Sequence, residues 1–514
     1  MTQETPLLHL CHHAAKTPDK PAIIMGTSGA VTTFAALDAL SNQIAHLLRQ
    51  QGCARGDVIA LMMENSALYL AVTWAAQRSG LYYTPINWHL KPAEAAYVLN
   101  HCGAKVFLSS QALADLASSV SQLATGNPVL FASGAVQGFK DLNAALEAMP
   151  TYPVADESEG APMLYSSGTT GYPKGIKRPL IHNPIGTLST VDKLTRDYYK
   201  FGPDVRFLGP GPLYHSAPMN YAMSAIRQGG TAVIMEAYDP EQALALIDRY
   251  AINHGMFVPT HFVRMLALEN ETKQRYDVSS MQFAIHAAAP CPIPVKEEML
   301  AWWGPVIYEY YAGSEGNGFC KITPEEWHSH KGSVGKPVLG PIHILDLETG
   351  EERPAGEHGL VYFEGGAPFE YHNAPEKTRE AFHPKGWSTL GDIGYLDEDG
   401  YLYLTDRKSH MIISGGVNIY PQEVEACLAV HPDIADVAVI GIPNADFGEE
   451  VKAVVELKEP QLASDALASD IIDYARERIA HLKCPRSVDF VAELPRLPSG
   501  KLMKRVLREQ YWAE

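Results

Sequence analysis

Short apolar runs alternate through the first two thirds of the chain with segments whose apolar positions recur at helical spacing. DVIALMM (57–63) is followed by SALYLAVTWAAQRSG (66–80), LYYTPI (81–86), AEAAYVLNHCG (93–103) and AKVFLSS (104–110). The pattern returns as TAVIM (231–235), PEQALALIDRYAI (240–252), GMFVP (255–259), THFVRMLALEN (260–270), MQFAIHAAAP (281–290), PVKEEMLAWW (294–303) and PVIYEYYAG (305–313). Strand, helix, strand at this spacing predicts parallel sheets covered on both faces by helices. Active sites in such sheets lie beyond the carboxyl ends of strands, which is where YYAGSEG (310–316) follows the run VIYEY. From about Ser333 the texture changes to short strands and turns, and DEDG (397–400) between alternating apolar segments predicts a hairpin. Beyond Asp406, IADVAVIGIP, EEVKAVVELKE, the helical DIIDYARERIA, SVDFVAEL and a basic tail predict a compact α+β unit.

The chain has 514 residues and 46% hydrophobic composition, enough for a large core and more than one domain. A net charge of −18 argues against nucleic acid or an anionic membrane as a partner. The first twenty residues lack a charged n-region followed by a long apolar stretch, and ALYLAVTWAA (67–76) is too short to span a bilayer. It reads as a buried helix. Seven cysteines without a C-x-x-C pair suit a reducing cytoplasm, offer no zinc framework and read as small core residues. The expected location is therefore cytoplasmic, without integral membrane association, and a homodimer is compatible with the chain.

The segment YSSGTTGYPKG (165–175) gathers three glycines, two serines and two threonines around Lys174. Glycine lets a backbone approach an anion, hydroxyls donate to phosphate oxygens, and lysine brings a mobile charge. Composition alone favours a solvated linker. A P-loop of the Walker type is excluded, because Gly175 rather than serine or threonine follows the lysine.

What decides between these readings is the company the segment keeps. PLYHSAP (212–218), HAAAPCP (286–292), YEYYAGSEG (308–316), STLGDIG (388–394), TDRKSHMIISGGVNIYP (405–421) and PRLPSGKLMKR (495–505) follow in that order. Together with YSSGTTGYPKG they resemble the motifs of the adenylate-forming superfamily of acyl-CoA synthetases, luciferases and peptide-synthetase adenylation domains, over nearly the whole chain. The resemblance implies an α/β fold with a large N-terminal domain of doubly wound sheets and a small β-barrel-like part over 1–405. It further implies a hinge at 406–409 and a small mobile α+β domain over 410–514. It implies ATP, Mg²⁺ and coenzyme A as cofactors and co-substrates. Ser166, Ser167, Gly168, Thr169, Thr170 and Lys174 are then expected to grip the β- and γ-phosphates. Glu315 and Thr170 would hold Mg²⁺, and Ser314 would meet the α-phosphate. Ala288, Ala289, Pro290, Glu309, Tyr310 and Tyr311 would line the adenine, with Tyr311 stacked on it. Asp392 and Arg407 would bind ribose. Ser414, Gly415 and Gly416 belong to the glycine-rich loop that lines the pantetheine tunnel. The expected catalytic residues are Lys501, His215, Thr170 and Glu315. Lys501, presented by Pro-Ser-Gly, would bridge the substrate carboxylate and α-phosphate during adenylation only. The pivot falls on Ser409, where Asp or Lys is more usual.

The same resemblance puts the acid between PLYHSAPMNYA, FVPTHF, HAAAP and YAGSEGNGF, with His215, Met219, Tyr221, Val258 and Phe319 as walls. Ala287, Ala288 and Gly313 leave room beside the adenylate. His215 is the only titratable cation among these walls and no obvious partner for a second carboxylate stands there, so a bulky monocarboxylic acid is expected, of hydroxycinnamate, aromatic, medium-chain or ring-bearing type. The acceptor is expected to be CoA. A relative that uses a carrier protein or other acceptor, or an oxidative one such as a luciferase, is the alternative, weakened because no carrier domain follows before Glu514, and a non-catalytic nucleotide binder is a third reading that the intact motif residues oppose.

Overall fold

A computed structural model describes residues 8–166, 173–407, 410–414, 417–496 and 502–512. Six parallel strands form one sheet in the spatial order Lys140–Asp141, Val129–Ser133, Val106–Ser110, Val58–Met62, Tyr82–Pro85 and Ala161–Pro162. A second sheet has nine strands. Its six parallel members run Ile307–Tyr311, Phe283–His286, His254–Phe257, Arg206–Gly209, Thr231–Ile234 and Pro21–Met25. Antiparallel strands close both edges, Cys320–Ile322 and Lys336–Pro337 on one side and Val31–Thr33 on the other.

The apolar periodicity explains the layer between these sheets. Helix Ala67–Arg78 is apolar all round and buried from Tyr69 to Arg78, as the run ALYLAVTWAA predicts. Helix Ser216–Arg227 lies beside it, and both pack against strands of the nine-stranded sheet. Leu61, Tyr83 and Leu108 of one sheet share a continuous core with Phe207, Ile234, Ile285 and Tyr310 of the other. Four of the seven cysteines, Cys53, Cys102, Cys320 and Cys484, are buried, and all seven are free thiols.

The barrel-like part consists of small antiparallel sheets. Ile342–Leu345, Gly359–Phe363, Asp392–Leu396 and Leu402–Arg407 form one of four strands, in which the DEDG turn closes the last hairpin with Leu396 opposite Leu402. Leu164–Ser166, Lys174–Lys177 and Glu370–Tyr371 form another of three. Beyond the expected hinge, a sheet built on the hairpin of Ile434–Asn444 with Gly448–Leu457 packs its own core, including Val424, Val439, Val455 and Ile471. The basic tail carries a helix, Lys504–Trp512, that buries Leu507. Asp406 is the penultimate residue of the strand Leu402–Arg407 and accepts a hydrogen bond from the Gln422 backbone N–H at 3.0 Å. Ser409 lies outside the described residues. Among the described residues no helix is long and apolar enough to cross a membrane.

Helix Ser216–Arg227 is fixed by its last residue. Arg227 is buried, donates to both carboxylate oxygens of Glu159 at 3.0 and 3.1 Å, lies 3.4 Å from the Asp192 carboxylate and covers the Trp74 ring. Removing one partner of such a group strands the others as uncompensated buried charges. Arg227→Met is therefore expected to destabilise the protein by about 3–5 kcal/mol. A urea midpoint unchanged from wild type contradicts this.

Candidate active site

Two neighbouring parallel strands carry the centre. Phe283–His286 and Ile307–Tyr311 pair in register, His286 opposite Glu309, and the chain leaves both at their carboxyl ends. Ala287 is buried, and Ala288 follows with φ +76°, a left-handed conformation that costs a side-chain-bearing residue roughly 1–2 kcal/mol. The turn exposes Ala288 and Pro290, with Ala289 half-buried between them.

Alternation along Ile307–Tyr311 sends adjacent motif residues to opposite faces. On one face Glu309 is buried against Lys296, Oε2 to Nζ at 2.6 Å, with His286 Nε2 at 3.5 Å. Burial raises the Glu309 carboxyl, opposed by Lys296, while burial and then Lys296 lower the His286 imidazole, so that Glu309 and Lys296 form the charge pair. Tyr311, on this same face, donates its hydroxyl to Asp392. On the other face Tyr310 stacks between Tyr221 and Phe319, ring centres 5.7 and 5.0 Å away and planes within 14° and 11°. Met219, Tyr221, Ala287 and Phe319 are buried in one core with Tyr310. Val258 is half-buried at the end of the next strand, His254–Phe257, and His215 precedes the helix Ser216–Arg227 with its ring 4.6 Å from that of Tyr214.

The hairpin of the four-stranded sheet puts Asp392 directly opposite Arg407. Arg407 Nε donates to Asp392 Oδ1 at 2.9 Å, and Asp392 is the first cause of the raised guanidinium pKa. With Tyr311 on Oδ2, both oxygens of this buried carboxylate are engaged.

Between these groups runs the loop 312–317. Glu315 is buried, and its Oε1 accepts a hydrogen bond from the Tyr371 hydroxyl at 3.0 Å. The Lys174 ammonium stands 4.9 Å from the centre of the same tyrosine ring. Burial and then Lys377 depress the Lys174 pKa, with Glu315 opposing. Arg178 donates from Nη2 to the Ser314 carbonyl at 2.8 Å. Ser166 and Lys174 face each other as an antiparallel pair, which brings the two ends of the expected phosphate segment together. Ser167, Gly168, Thr169 and Thr170 lie outside the described residues, as do Gly415, Gly416 and Lys501. Ser414 is half-buried in the hairpin with Val417–Ile419. Tyr371, Arg178 and Leu390 were not among the expected residues. Tyr371 is 56 residues from Glu315, inside a segment whose only sequence signal is a short apolar run.

Among the described residues no three His, Cys, Asp or Glu side chains converge as a metal cage. Glu315 alone fits a Mg²⁺ ion that arrives with its nucleotide, since Mg²⁺ commonly takes one or two carboxylates and completes its shell with phosphates and water. Lys174, Arg178 and Arg407 supply positive charge around that carboxylate.

A model of the AMP-binding enzyme matches residues 10–370, and a model of the AMP-binding enzyme C-terminal domain matches 423–501. The chain belongs to the AMP-binding enzyme family. This AMP-binding enzyme is 30% identical to the long-chain-fatty-acid–CoA ligase FadD13 of Mycobacterium tuberculosis over 510 residues, 98% of each chain. It is also 30% identical to the 2-succinylbenzoate–CoA ligase of Geobacillus kaustophilus over 503 residues, 97% of this chain and 96% of that one. Its fold is similar to that of ATP-bound MatB from Rhodopseudomonas palustris, with TM-score 0.82, 28% identity and coverage of 98% and 99%. It thus falls among the AMP-forming acyl- and aryl-CoA ligases, whose reaction uses ATP, Mg²⁺ and CoA.

Gly313 is one of two tight points of the loop, with Gly316. A Cβ there lies 2.4 Å from Leu390 Cδ1 and 2.9 Å from Glu315 Oε2, both ends of side chains that can shift. Gly313→Ala is expected to fold with a melting temperature within a few degrees of wild type yet to lose at least about tenfold in adenylation, a displaced contact worth about 1.4 kcal/mol. Adding Leu390→Ala makes room and is expected to restore part of the rate. No loss in the single variant, or no recovery in the double, contradicts the packing argument.

Proposed function

We propose that this AMP-binding enzyme is an ATP-dependent ligase that joins a bulky monocarboxylic acid to CoA. The observation that carries the reading is the convergence of Lys174, Glu315 and the Asp392–Arg407 pair beside a column of buried rings. A carboxylate oxygen attacks the α-phosphorus of ATP, the bond to the bridging oxygen breaks, and pyrophosphate leaves. The CoA thiolate then attacks the acyl carbon, forming the C–S bond as AMP departs with the C–O electron pair.

Positioning and charge neutralisation dominate the first step. We assign Ser166 through Thr170 and Lys174 to the β- and γ-phosphates, Ser314 to the α-phosphate, Glu315 and Thr170 to Mg²⁺, and Asp392 with Arg407 to the ribose. Mg²⁺, when bound, offsets the phosphate charge. Backbone of Ala288 to Pro290 and of Glu309 to Tyr311 borders the adenine in this reading, since the Glu309 side chain is committed to Lys296. We divide the chain into 1–405, a hinge at 406–409 and a lid at 410–514, whose Lys501 acts in adenylation and then swings away so that Ser414, Gly415 and Gly416 can border the thiol path.

The acid follows from the walls. Tyr221, Tyr310 and Phe319 form a column of near-parallel rings, with Met219, Val258 and Ala287 completing an apolar surface. Planar rings gain offset-stacked and edge contacts there. Hydroxycinnamate-like, other aromatic and medium-chain or ring-bearing acids fill such a wall, whereas acetate forfeits about 0.8 kcal/mol for every methylene left unburied. A panel of acids scored by CoA-dependent AMP release tests this. Aromatic or C6–C12 acids are expected to exceed acetate in kcat/KM; acetate equal to or above all of them overturns the substrate class, and AMP release only with a carrier protein overturns the acceptor.

Lys501 gives a second test. Lys501→Ala is expected to lower acyl-adenylate formation by on the order of 10²- to 10³-fold. Thioester formation from supplied acyl-adenylate is expected to stay near wild type, and equal loss in both half-reactions contradicts the assignment.

A further inference from the structure

We propose that Tyr371 is a positioning residue for the metal and the phosphates: its hydroxyl holds one oxygen of Glu315 so that the other is presented to Mg²⁺, and its ring seats the Lys174 ammonium. This rests on the reading of Glu315 as the metal ligand and Lys174 as a phosphate contact.

The backbone of Tyr371 is held on both sides. It pairs with Ile176 in the same three-stranded sheet whose Ser166–Lys174 pair closes the phosphate segment. Its N–H donates to Thr378 Oγ1 at 2.9 Å, and the next N–H, of His372, donates to the Gly175 carbonyl at 2.7 Å. The side chain is 8% exposed. A phenol has one O–H proton, and here the hydroxyl donates it to the Glu315 carboxylate, an acceptor. The bond goes to Oε1 at 3.0 Å, which leaves the second carboxylate oxygen, the one closest to Gly313, as the acceptor for a cation. The ring meanwhile presents its face to Lys174 Nζ at 4.9 Å, a cation–π distance.

A tyrosine that merely filled a gap between sheets would act through its ring alone, and phenylalanine would replace it without consequence. Here one side chain touches both the group read as holding Mg²⁺ and the group read as holding phosphate, with separable parts. Without the hydroxyl, Oε1 is released and the carboxylate is free to rotate toward Lys174. Without the ring, Lys174 loses the surface that orients it. The hydroxyl therefore governs the metal-linked part of nucleotide affinity and the ring the metal-independent part.

The test is calorimetric titration of wild type, Tyr371→Phe, Tyr371→Leu and Glu315→Gln with ATP, in EDTA and in saturating Mg²⁺. The ratio of the two affinities is the metal-linked gain. Tyr371→Phe is expected to reduce that gain about tenfold, as befits loss of one hydrogen bond to a charged group, with ATP affinity in EDTA within about twofold of wild type. Tyr371→Leu is expected to lose the gain likewise and to weaken ATP in EDTA as well. In turnover, Tyr371→Phe should raise the Mg²⁺ concentration for half-maximal rate more than it lowers kcat at saturating Mg²⁺. If Glu315→Gln removes the gain while Tyr371→Phe keeps the wild-type ratio, the proposal is overturned and the metal assignment stands. If Glu315→Gln keeps the gain, the metal assignment fails and the proposal falls with it.

Discussion

The site depends on a chain that must turn where there is no room for side chains. After the strand Ile307–Tyr311 the backbone passes so close to Leu390 at Gly313, and to Arg178 at Gly316, that a Cβ at either point collides at 2.4 or 2.2 Å. Gly316 also has φ +68°. Interiors are packed at crystal-like density, so a turn wedged in this way has few alternative positions. Glu315 sits between the two glycines, and its direction is thereby fixed relative to Arg178, Tyr371 and the Asp392 hairpin. The carboxylate is placed by sterics before any ligand arrives, and electrostatic stabilisation of a transition state needs this, because donors and charges that move during the reaction give back much of what they contribute.

Much of the fold was legible from periodicity. ALYLAVTWAA is the all-round buried helix its composition implies, and the DEDG turn joins two strands that set Asp392 opposite Arg407. The partners brought in from afar were not legible. Strand Pro21–Met25 lies beside Thr231–Ile234, and Tyr371 reaches Glu315 from a strand of only two residues, too short for an alternating pattern. Such contacts are set by how sheets pack rather than by any local preference. The motif around 309–311 shows a further limit: read as one string, it groups Glu309, Tyr310 and Tyr311, but period-two alternation assigns Tyr310 to the pocket side and its neighbours to the other.

The charge distribution carries a related lesson. The whole chain is acidic, with a net charge of −18, yet Lys174, Arg178 and Arg407 gather around one buried carboxylate. Cations gathered in this way within an acidic chain raise the local potential where the proposed reading puts the polyphosphate. Burial weakens the Lys174 cation, and Glu315 restores part of its preference for the proton. Metal ligand and phosphate ligand thus depend on one another in this reading even before nucleotide is present, with Tyr371 as the spacer that keeps them from collapsing into a simple ion pair.

That arrangement has a consequence for specificity. The strand Ile307–Tyr311 supplies the ring column of the proposed acid site with Tyr310 and the Asp392–Arg407 pair with Tyr311, through adjacent residues of one element. A strand inside a nine-stranded sheet cannot move one face without the other, because its neighbours Phe283–His286 and Cys320–Ile322 hold it by backbone hydrogen bonds on both edges. Changing which acid fits by altering Tyr310 therefore perturbs the geometry around Tyr311, whereas changing Tyr221 on helix Ser216–Arg227 or Phe319 in the loop alters the same ring column from outside the strand. Variation in acid preference among enzymes of this architecture is thus physically easiest at the helix and loop walls, and the strand is the element on which change costs most in the adenylation chemistry itself.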